Sequence, residues 1–495
     1  VIVGDAKGIV IPPLEDYPLG KKALRGLRLV HTHLKEESLN QDDLTDLALL
    51  RFDLIAAIGT KDGLPGNIYV AHLMPQGSEK EIEVLPPENF YTFRLDFKTF
   101  INSLEEEMER AIIFDQKDRR ERAILVSVSI RPRYAQEDSM EELKELARSS
   151  DVIALDTVIQ RPKEINPRYL MGEGKLKDLI INAMNRGTTL LIFDQDLSPS
   201  QIKAIAEFTE LKVIDRTQLI LDIFARRAHS KDGKVQVELA QLKYRLPRLT
   251  GKGTAMSRLM GGIGGRGPGE MKLEVDRRRV REKINLLEKE LKSLSEARRQ
   301  RRQKRVQRGI PIVSIIGYTN AGKSTLLNAL TKSSVFVEDK MFATLDTSSR
   351  RLRFPREREL IITDTVGFIR NLPKDLMAAF KATLEELKDA DLLLHIVDAT
   401  NPRFEQHMQS VESILEELHL AEKPKLLVFN KTDKLEKGES ENLVHRYGGI
   451  AISALNSSTF QPLLNAIEER VWNRKLAELI PLSPPLVKGE LEGFV

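Results

Sequence analysis

From Arg122 onward, short apolar runs alternate with amphipathic stretches. "AILVSVSI", "DVIALDTVIQ", "TTLLIFD" and "LKVID" have strand length, and "SMEELKELARSS", "GKLKDLIINAMNR" and "SPSQIKAIAEFTE" repeat at the helical period. Strands that alternate with helices predict a parallel sheet with helical crossovers. A small α/β domain is therefore expected over residues 121–225. Within it, "YLMGEGKLKDL" sets Gly172, Gly174 and Lys175 between a strand and a helix. A helix N-terminus there could bind an anion, or the glycines could simply make the turn.

The next stretch, "ILDIFARRAHSKDGKVQVELAQLKYRLPRL", reads as helices. Residues 250–269 follow, with eight glycines, the cations Lys252, Arg258 and Arg266, and no acidic residue. Glycines let backbone approach a partner closely, and the cations favour phosphate. A plain flexible linker has the same composition. Beyond it, Val280, Ile284, Leu287, Leu291 and Leu294 are spaced as an a/d seam. The seam predicts a basic helical hairpin over 226–308, with the glycine-rich segment at its tip and "ARRQRRQKR" at its base.

Residues 1–120 are the least legible, and no fold is assigned to them. "LRLVHTHL" and "NIYVAHLM" look like strands, and "FKTFINSLEEEMERAIIF" looks like an amphipathic helix. His31 and His33 would share one strand face and could bind a metal. With no further ligand set evident, they read instead as a structural pair. Residues 476–495 are expected to form a flexible tail. The sequence opens on Val1 with no charged-then-apolar signal segment, and a start upstream of it is expected.

Composition narrows the class. The chain has 495 residues, 41% hydrophobic and 30% charged, as in a soluble globular protein. No apolar run reaches the roughly 20 residues that span a bilayer. The absence of cysteine excludes disulfides, thiolate zinc sites and cysteine nucleophiles, and fits a cytoplasmic location. Net charge is only +4, yet residues 276–308 hold fourteen Lys or Arg against five Asp or Glu. A basic segment in a near-neutral chain suggests a polyanionic partner, although a solvated helix face is the plain alternative.

The clearest chemistry lies in residues 309–475. "IPIVSIIGYTNAGKSTLLNAL" is an apolar strand, a loop fitting G-x-x-x-x-G-K-[ST], and a helix. The backbone of Gly317 and of Asn320, Ala321, Gly322, Lys323, Ser324 and Thr325 would cradle phosphates. Lys323 would bridge the terminal phosphates, and Ser324 would ligate Mg2+. "ELIITDTVG" then places Asp364, Thr365, Val366 and Gly367 at a strand end. Asp364 could hold the metal through water, and the Gly367 amide could sense the terminal phosphate. "KPKLLVFNKTD" ends a strand in Asn430, Lys431 and Asp433, and "GIAISAL" ends another in Ser453 and Ala454. Open α/β sheets bind ligands at such carboxyl ends. Guanine presents its N1–H and exocyclic amine side by side, and the two oxygens of Asp433 can accept both. Adenine lacks that pair, so the nucleotide is GTP or GDP. In "KMFATLDTSSRRLRF", Thr344 and Thr347 are candidates to complete the metal shell.

The ordered set resembles translation-factor-related GTPases, whose first switch favours Thr344 within Phe342, Ala343, Thr344, Leu345 and Asp346. Many signalling GTPases carry a water-orienting glutamine after D-x-x-G, where this chain has Phe368. Hydrolysis is thus expected to be slow alone and stimulated by a partner, and no catalytic residue is assigned.

"NPRYLMGEGK", "QVELAQLKYRLPRL", "GGIGGRGPGE" and "DTVGFIRNLPKDLMAAFKATLEE" complete a close resemblance to the HflX family of ribosome-associated GTPases. It runs from about Arg122 to about Arg474 and leaves the leading segment and the tail unexplained. The resemblance implies an α/β domain and hairpin followed by a Ras-like P-loop domain, with a mixed, mainly parallel sheet and helices on both faces. It implies a protein that binds the large ribosomal subunit in its GTP state and splits or remodels stalled or idle ribosomes; a monomer is expected. Lys252, Arg258 and Arg266 would then face ribosomal RNA. A GTPase that assists assembly of immature large subunits is the alternative. The family's amino-terminal domain is also linked with adenine nucleotides, for which Gly172, Gly174 and Lys175 are the candidate contacts.

Overall fold

The computed structural model describes residues 24–473, apart from 76–77, 79, 81, 116–119, 210, 250–267, 307–308, 332–340, 342–347, 355–357, 366, 371–376 and 378–384. The glycine-rich segment with Lys252, Arg258 and Arg266, the first switch from Phe342 to Asp346 with Thr347, and Val366 therefore lie outside the described residues. The chain divides into two compact units, residues 1–219 and 220–495.

The first unit holds two sheets. One is built from β1 (Arg28–His33), β2 (Leu54–Lys61), β3 (Leu64–Leu73), β4 (Ile82–Val84) and β5 (Glu88–Asn89), with α1 (Gln41–Leu50) and α2 (Phe97–Asp115). Its order is β1-β2-β3-β4, with β5 also on β3. β1 runs parallel to β2, and β2 and β3 form an antiparallel hairpin. Asp62 and Gly63 turn that hairpin with φ of 51° and 78°, the left-handed pair that matches strand twist. Leu47, Ile55, Ala71, Leu104 and Met108 make its core.

The other sheet is the predicted small α/β layer. Its strands β6 (Arg122–Val128), β7 (Ile153–Gln160), β8 (Leu190–Phe193) and β9 (Lys212–Asp215) are joined by α3 (Arg133–Ser149), α4 (Glu173–Asn185) and α5 (Pro199–Ala206). The order is β7-β6-β8-β9 with every pairing parallel. Apolar runs such as "AILV" suit strands buried on both faces. Ser198 caps α5 by accepting from the Gln201 amide while the Gln201 side chain returns to the Ser198 amide. One buried ionic group breaks this core. Arg216, at the start of α6 (Arg216–Arg227), donates to Glu142 at 2.6 Å and to Asp194 at 3.0 Å. Gly172 caps α4, and an added Cβ would meet nothing within 4 Å at either Gly172 or Gly174. Neither glycine is thus required by a close approach. Lys175 is exposed and lies 3.5 Å from Asp178.

In the second unit, α7 (Lys231–Arg245) packs against α8 (Pro268–Val306). Val235 and Leu239 meet Ile284 and Leu287, and Val280, Leu291 and Leu294 extend the seam. The contacts Lys231–Glu290 at 2.8 Å and Lys283–Glu238 at 3.4 Å make the pair antiparallel. "ARRQRRQKR" falls on the last turns of α8, and its side chains lie outside the described residues.

The remaining layer contains β10 (Ile312–Gly317), α9 (Lys323–Thr331), β11 (Ser348–Arg353), β12 (Glu359–Asp364), β13 (Leu392–Asp398), α10 (Phe404–Glu417), β14 (Lys425–Asn430), α11 (Glu439–Tyr447), β15 (Ile450–Ala451) and α12 (Gln461–Glu468). The order is β11-β12-β10-β13-β14-β15, and only β11 runs antiparallel to its neighbour. The mixed, mainly parallel sheet is the one the family resemblance implies. Gly317, Asp364, Asp398 and Asn430 end neighbouring parallel strands, so the topology brings them to one sheet edge.

Candidate nucleotide site

The loop between β10 and α9 is held by its own backbone geometry. Asn320 has φ of 61°, a left-handed conformation that asparagine tolerates, and its side chain is exposed. Gly322 has φ of 90°, and a Cβ there would lie 2.2 Å from Asn430 Nδ2. Lys323, Ser324 and Thr325 open α9, so their amides belong to a helix N-terminus, where unpaired N–H groups favour anions.

Lys323 is buried, and its Nζ donates 2.7 Å to the Tyr318 carbonyl. Burial pushes its ammonium down to about 8, and the nearby Asp364 carboxylate opposes that shift. An anion beside this group would offset the burial cost. Ser324 Oγ donates 2.6 Å to Asp364 Oδ2. A hydroxyl at the start of α9 and a carboxylate at the end of β12 are hard oxygen donors of the kind Mg2+ prefers, so the residues present fit that ion. Thr365 Oγ1 donates to the Ile315 carbonyl at 2.7 Å and fixes the segment after β12. A Cβ at Gly367 would lie 2.8 Å from Thr319 Cγ2 and 3.1 Å from Lys323 Nζ.

The segment at Phe368 is laced to the loop. The Phe368 amide donates to the Gly317 carbonyl at 3.1 Å, and the Thr319 amide donates to the Phe368 carbonyl at 2.8 Å. Beyond it, the Arg370 amide donates to Tyr318 Oη at 2.9 Å, and the Tyr318 ring stacks on His407 at 3.8 Å. The Phe368 ring is buried. It packs as core.

The guanine-reading candidates stand on β14 and the segment after β15. Asn430 Nδ2 donates to the Ala321 carbonyl at 2.8 Å, and Asn430 Oδ1 accepts from the Ala454 amide at 2.9 Å. One side chain thus braces two loops, and the Ala454 amide is engaged inside the protein. Ser453 is buried, with its amide donating to Thr459 Oγ1 at 3.0 Å. Lys431 Nζ reaches Asp398 Oδ2 at 2.6 Å. Sequence reasoning missed Asp398, whose position at the end of β13 was the available signal. Asp433 is exposed in a short turn of 3-10 helix, Thr432–Lys434. The structure therefore brings the described residues of all four motifs to one edge of the sheet.

A phosphate-type loop at the end of β10, a carboxylate at the end of β12 and an N-K-x-D segment at the end of β14 define a P-loop GTPase. Comparison with known proteins narrows the class. Families described as "GTP-binding GTPase N-terminal", "GTP-binding GTPase Middle Region" and "50S ribosome-binding GTPase" match residues 137–225, 227–305 and 312–431. The GTPase HflX of Caldanaerobacter subterraneus subsp. tengcongensis is 50% identical over 353 residues, covering 71% of this chain and 81% of that protein. The GTPase HflX of Escherichia coli is 42% identical over 381 residues, covering 75% of this chain and 88% of that protein. A GTP-binding protein from Sulfolobus solfataricus, solved in complex with GDP, is 28% identical with a TM-score of 0.39, over 71% of this chain and 98% of that one. The chain belongs to the HflX family of GTPases. It binds guanine nucleotide and hydrolyses GTP.

Proposed function

We propose that this GTPase works on the large ribosomal subunit, binding it in the GTP state and splitting or remodelling stalled or idle ribosomes. The observation that carries the reading is the antiparallel pair of α7 and α8. It joins an apolar seam to a run of fourteen Lys or Arg against five Asp or Glu over residues 276–308. The family description "50S ribosome-binding GTPase" over 312–431 supports the same partner. Such a hairpin would meet ribosomal RNA mainly through phosphate and shape. Lys252, Arg258 and Arg266 would extend that contact at the tip. The protein would act as a monomer in the cytoplasm; among the described residues, no helix is long and apolar enough to cross a membrane.

In this reading, Lys323 and the α9 N-terminus hold the phosphates, and the Gly367 amide senses the terminal one. Ser324, Asp364 and Thr344 hold Mg2+, which neutralises phosphate charge when bound. Asp433 reads the guanine edge. Lys431, held by Asp398, lies along the base. Phe368 is committed to the core and does not orient water, so a group supplied by the ribosome or by a reordered switch raises the rate.

The test is sedimentation with purified ribosomes through a sucrose gradient, with GDP or a non-hydrolysable GTP analogue. Analogue-driven binding to large subunits with loss of intact ribosomes is the expected result. Binding only to precursor particles would shift the role to subunit assembly, and binding to neither would overturn the partner. Deleting 251–268 should leave GTP binding intact and impair splitting; normal splitting would make that segment a linker.

A further inference from the structure

β1 is the edge strand of the first sheet, and its alternation sets His31 and His33 on one face. α1 begins eight residues after His33, and Asp43 lies in its first turn. Their side chains converge. The two Nε2 atoms are 3.0 Å apart. Asp43 Oδ1 is 3.2 Å from His31 Nε2, and Asp43 Oδ2 is 3.4 Å from His33 Nε2. The three side chains are only 13–14% exposed.

Two of the three are oriented from behind. His33 Nδ1 lies 3.1 Å from the Glu37 carbonyl. A carbonyl only accepts, so Nδ1 carries a proton, and the neutral ring then presents its Nε2 lone pair to the cluster. Asp43 Oδ2 accepts from the Asn40 amide at 2.8 Å, as part of the box that caps α1. A carboxylate fixed by backbone and a histidine fixed by a carbonyl are the outer contacts metal ligands use.

We propose that His31, His33 and Asp43 form a binding site for a divalent transition-metal ion, Zn2+ foremost. A neutral pair of imidazoles offers one proton between them at this point. That proton, on His31 Nε2, can serve either the His33 lone pair or the carboxylate. One cation serves all three donors. A tetrahedral Zn2+ with bonds of about 2.0–2.1 Å separates its ligands by about 3.3 Å, and one donor atom from each side chain already lies within 4.8 Å of the others. Two imidazoles and a carboxylate suit zinc and its neighbours, whereas Mg2+ and Ca2+ take oxygen sets. Asp46, one turn further along α1, adds a second negative charge that acts on His31. The ion would pin the sheet edge to the start of α1 and keep a coordination position open for water or a partner's ligand. His31 Nδ1 is buried with no hydrogen-bond partner among the described residues. Lack of that outer contact weakens a site by roughly 10–100-fold, so binding weaker than at a fully supported zinc site is expected.

The experiment uses the full chain with GDP and excess Mg2+, so that the nucleotide site is filled. Zn2+ is titrated in competition with a chromophoric chelator, and Co2+ is added in parallel for its visible spectrum. A single equivalent of Zn2+ should bind, with intense bands of low-coordinate Co2+. His33→Gln and Asp43→Asn should each weaken Zn2+ by more than about tenfold while far-ultraviolet circular dichroism is unchanged. Absorption fine structure of zinc-loaded wild type should show two imidazoles and an oxygen donor, a readout independent of whether the variants fold. Wild type without stoichiometric binding, binding undiminished in folded variants, or a different ligand shell would each overturn the site.

Discussion

Asn430 donates to the carbonyl of Ala321 at 2.8 Å across 109 residues of sequence, tying the guanine-side strand to the phosphate loop. Gly322→Ala would drive a Cβ into that amide, which lies 2.2 Å from the ideal position. A lost buried hydrogen bond costs about 1–3 kcal/mol, and the left-handed backbone adds about 1 kcal/mol or more. GDP and GTP affinity should fall together by at least roughly tenfold in fluorescent-nucleotide titrations. Unchanged affinity for both would show that the two loops act independently.

Asp433→Asn exchanges an acceptor for a donor at an exposed carboxylate. Preference should move from guanine toward xanthine nucleotides, because xanthine offers an oxygen where guanine has its amine. Competition between GTP and xanthosine triphosphate measures this directly. A variant that keeps its guanine preference would place base reading elsewhere.

Arg216 sits between Glu142 and Asp194, with all three side chains 6–7% exposed. Together the two carboxylates hold the guanidinium more firmly protonated than usual despite the burial that opposes charge. Arg216→Met leaves two buried carboxylates facing each other. Breaking such a group costs about 3–5 kcal/mol, which urea unfolding of the full chain can resolve as an early transition. Glu142→Gln keeps one carboxylate on the arginine and should cost less. Equal losses would argue that packing, and not charge, dominates.

His395 lies buried on β13, and burial, followed by the charges of Lys425 and Lys323, pushes its imidazole down to about 4 from 6.5. The unfolded chain therefore binds this proton first as pH falls. Stability from this group is complete above about pH 6.5 and is lost as pH drops toward 4, by on the order of 3 kcal/mol. His395→Leu should flatten that part of the pH–stability curve. An identical slope in the variant would assign the loss to other groups.

The parts of the chain legible in its sequence are those where spacing has one physical cause. Phosphate needs the loop from Gly317 to Ser324, and the 4-3-4-3 spacing from Val280 to Leu294 needs a facing helix, which α7 supplies. The first sheet was opaque for definite reasons. β2, "LIAAIGTK", is largely buried and shows no alternation, and β4 and β5 have three and two residues. The two-residue turn at Asp62 and Gly63 was the signal available for its hairpin. The third group beside His31 and His33 was equally hidden, since Asp43 looks like an ordinary acidic residue in a helix's first turn. Asp398 had no motif of its own; only the parallel pairing of β13 with β14 brings it to Lys431.

The seam between α7 and α8 also bears on how this protein can diverge. Because side chains along the helices hold the hairpin shut, the chain joining Leu249 to Pro268 is not needed to align them. Doubling the length of such a connection costs only about 0.6 kcal/mol in closure entropy. Insertions, deletions and wholesale changes of sequence there are thermodynamically cheap, so the tip can be rewritten for a different partner surface while the stem and the nucleotide switch stay as they are.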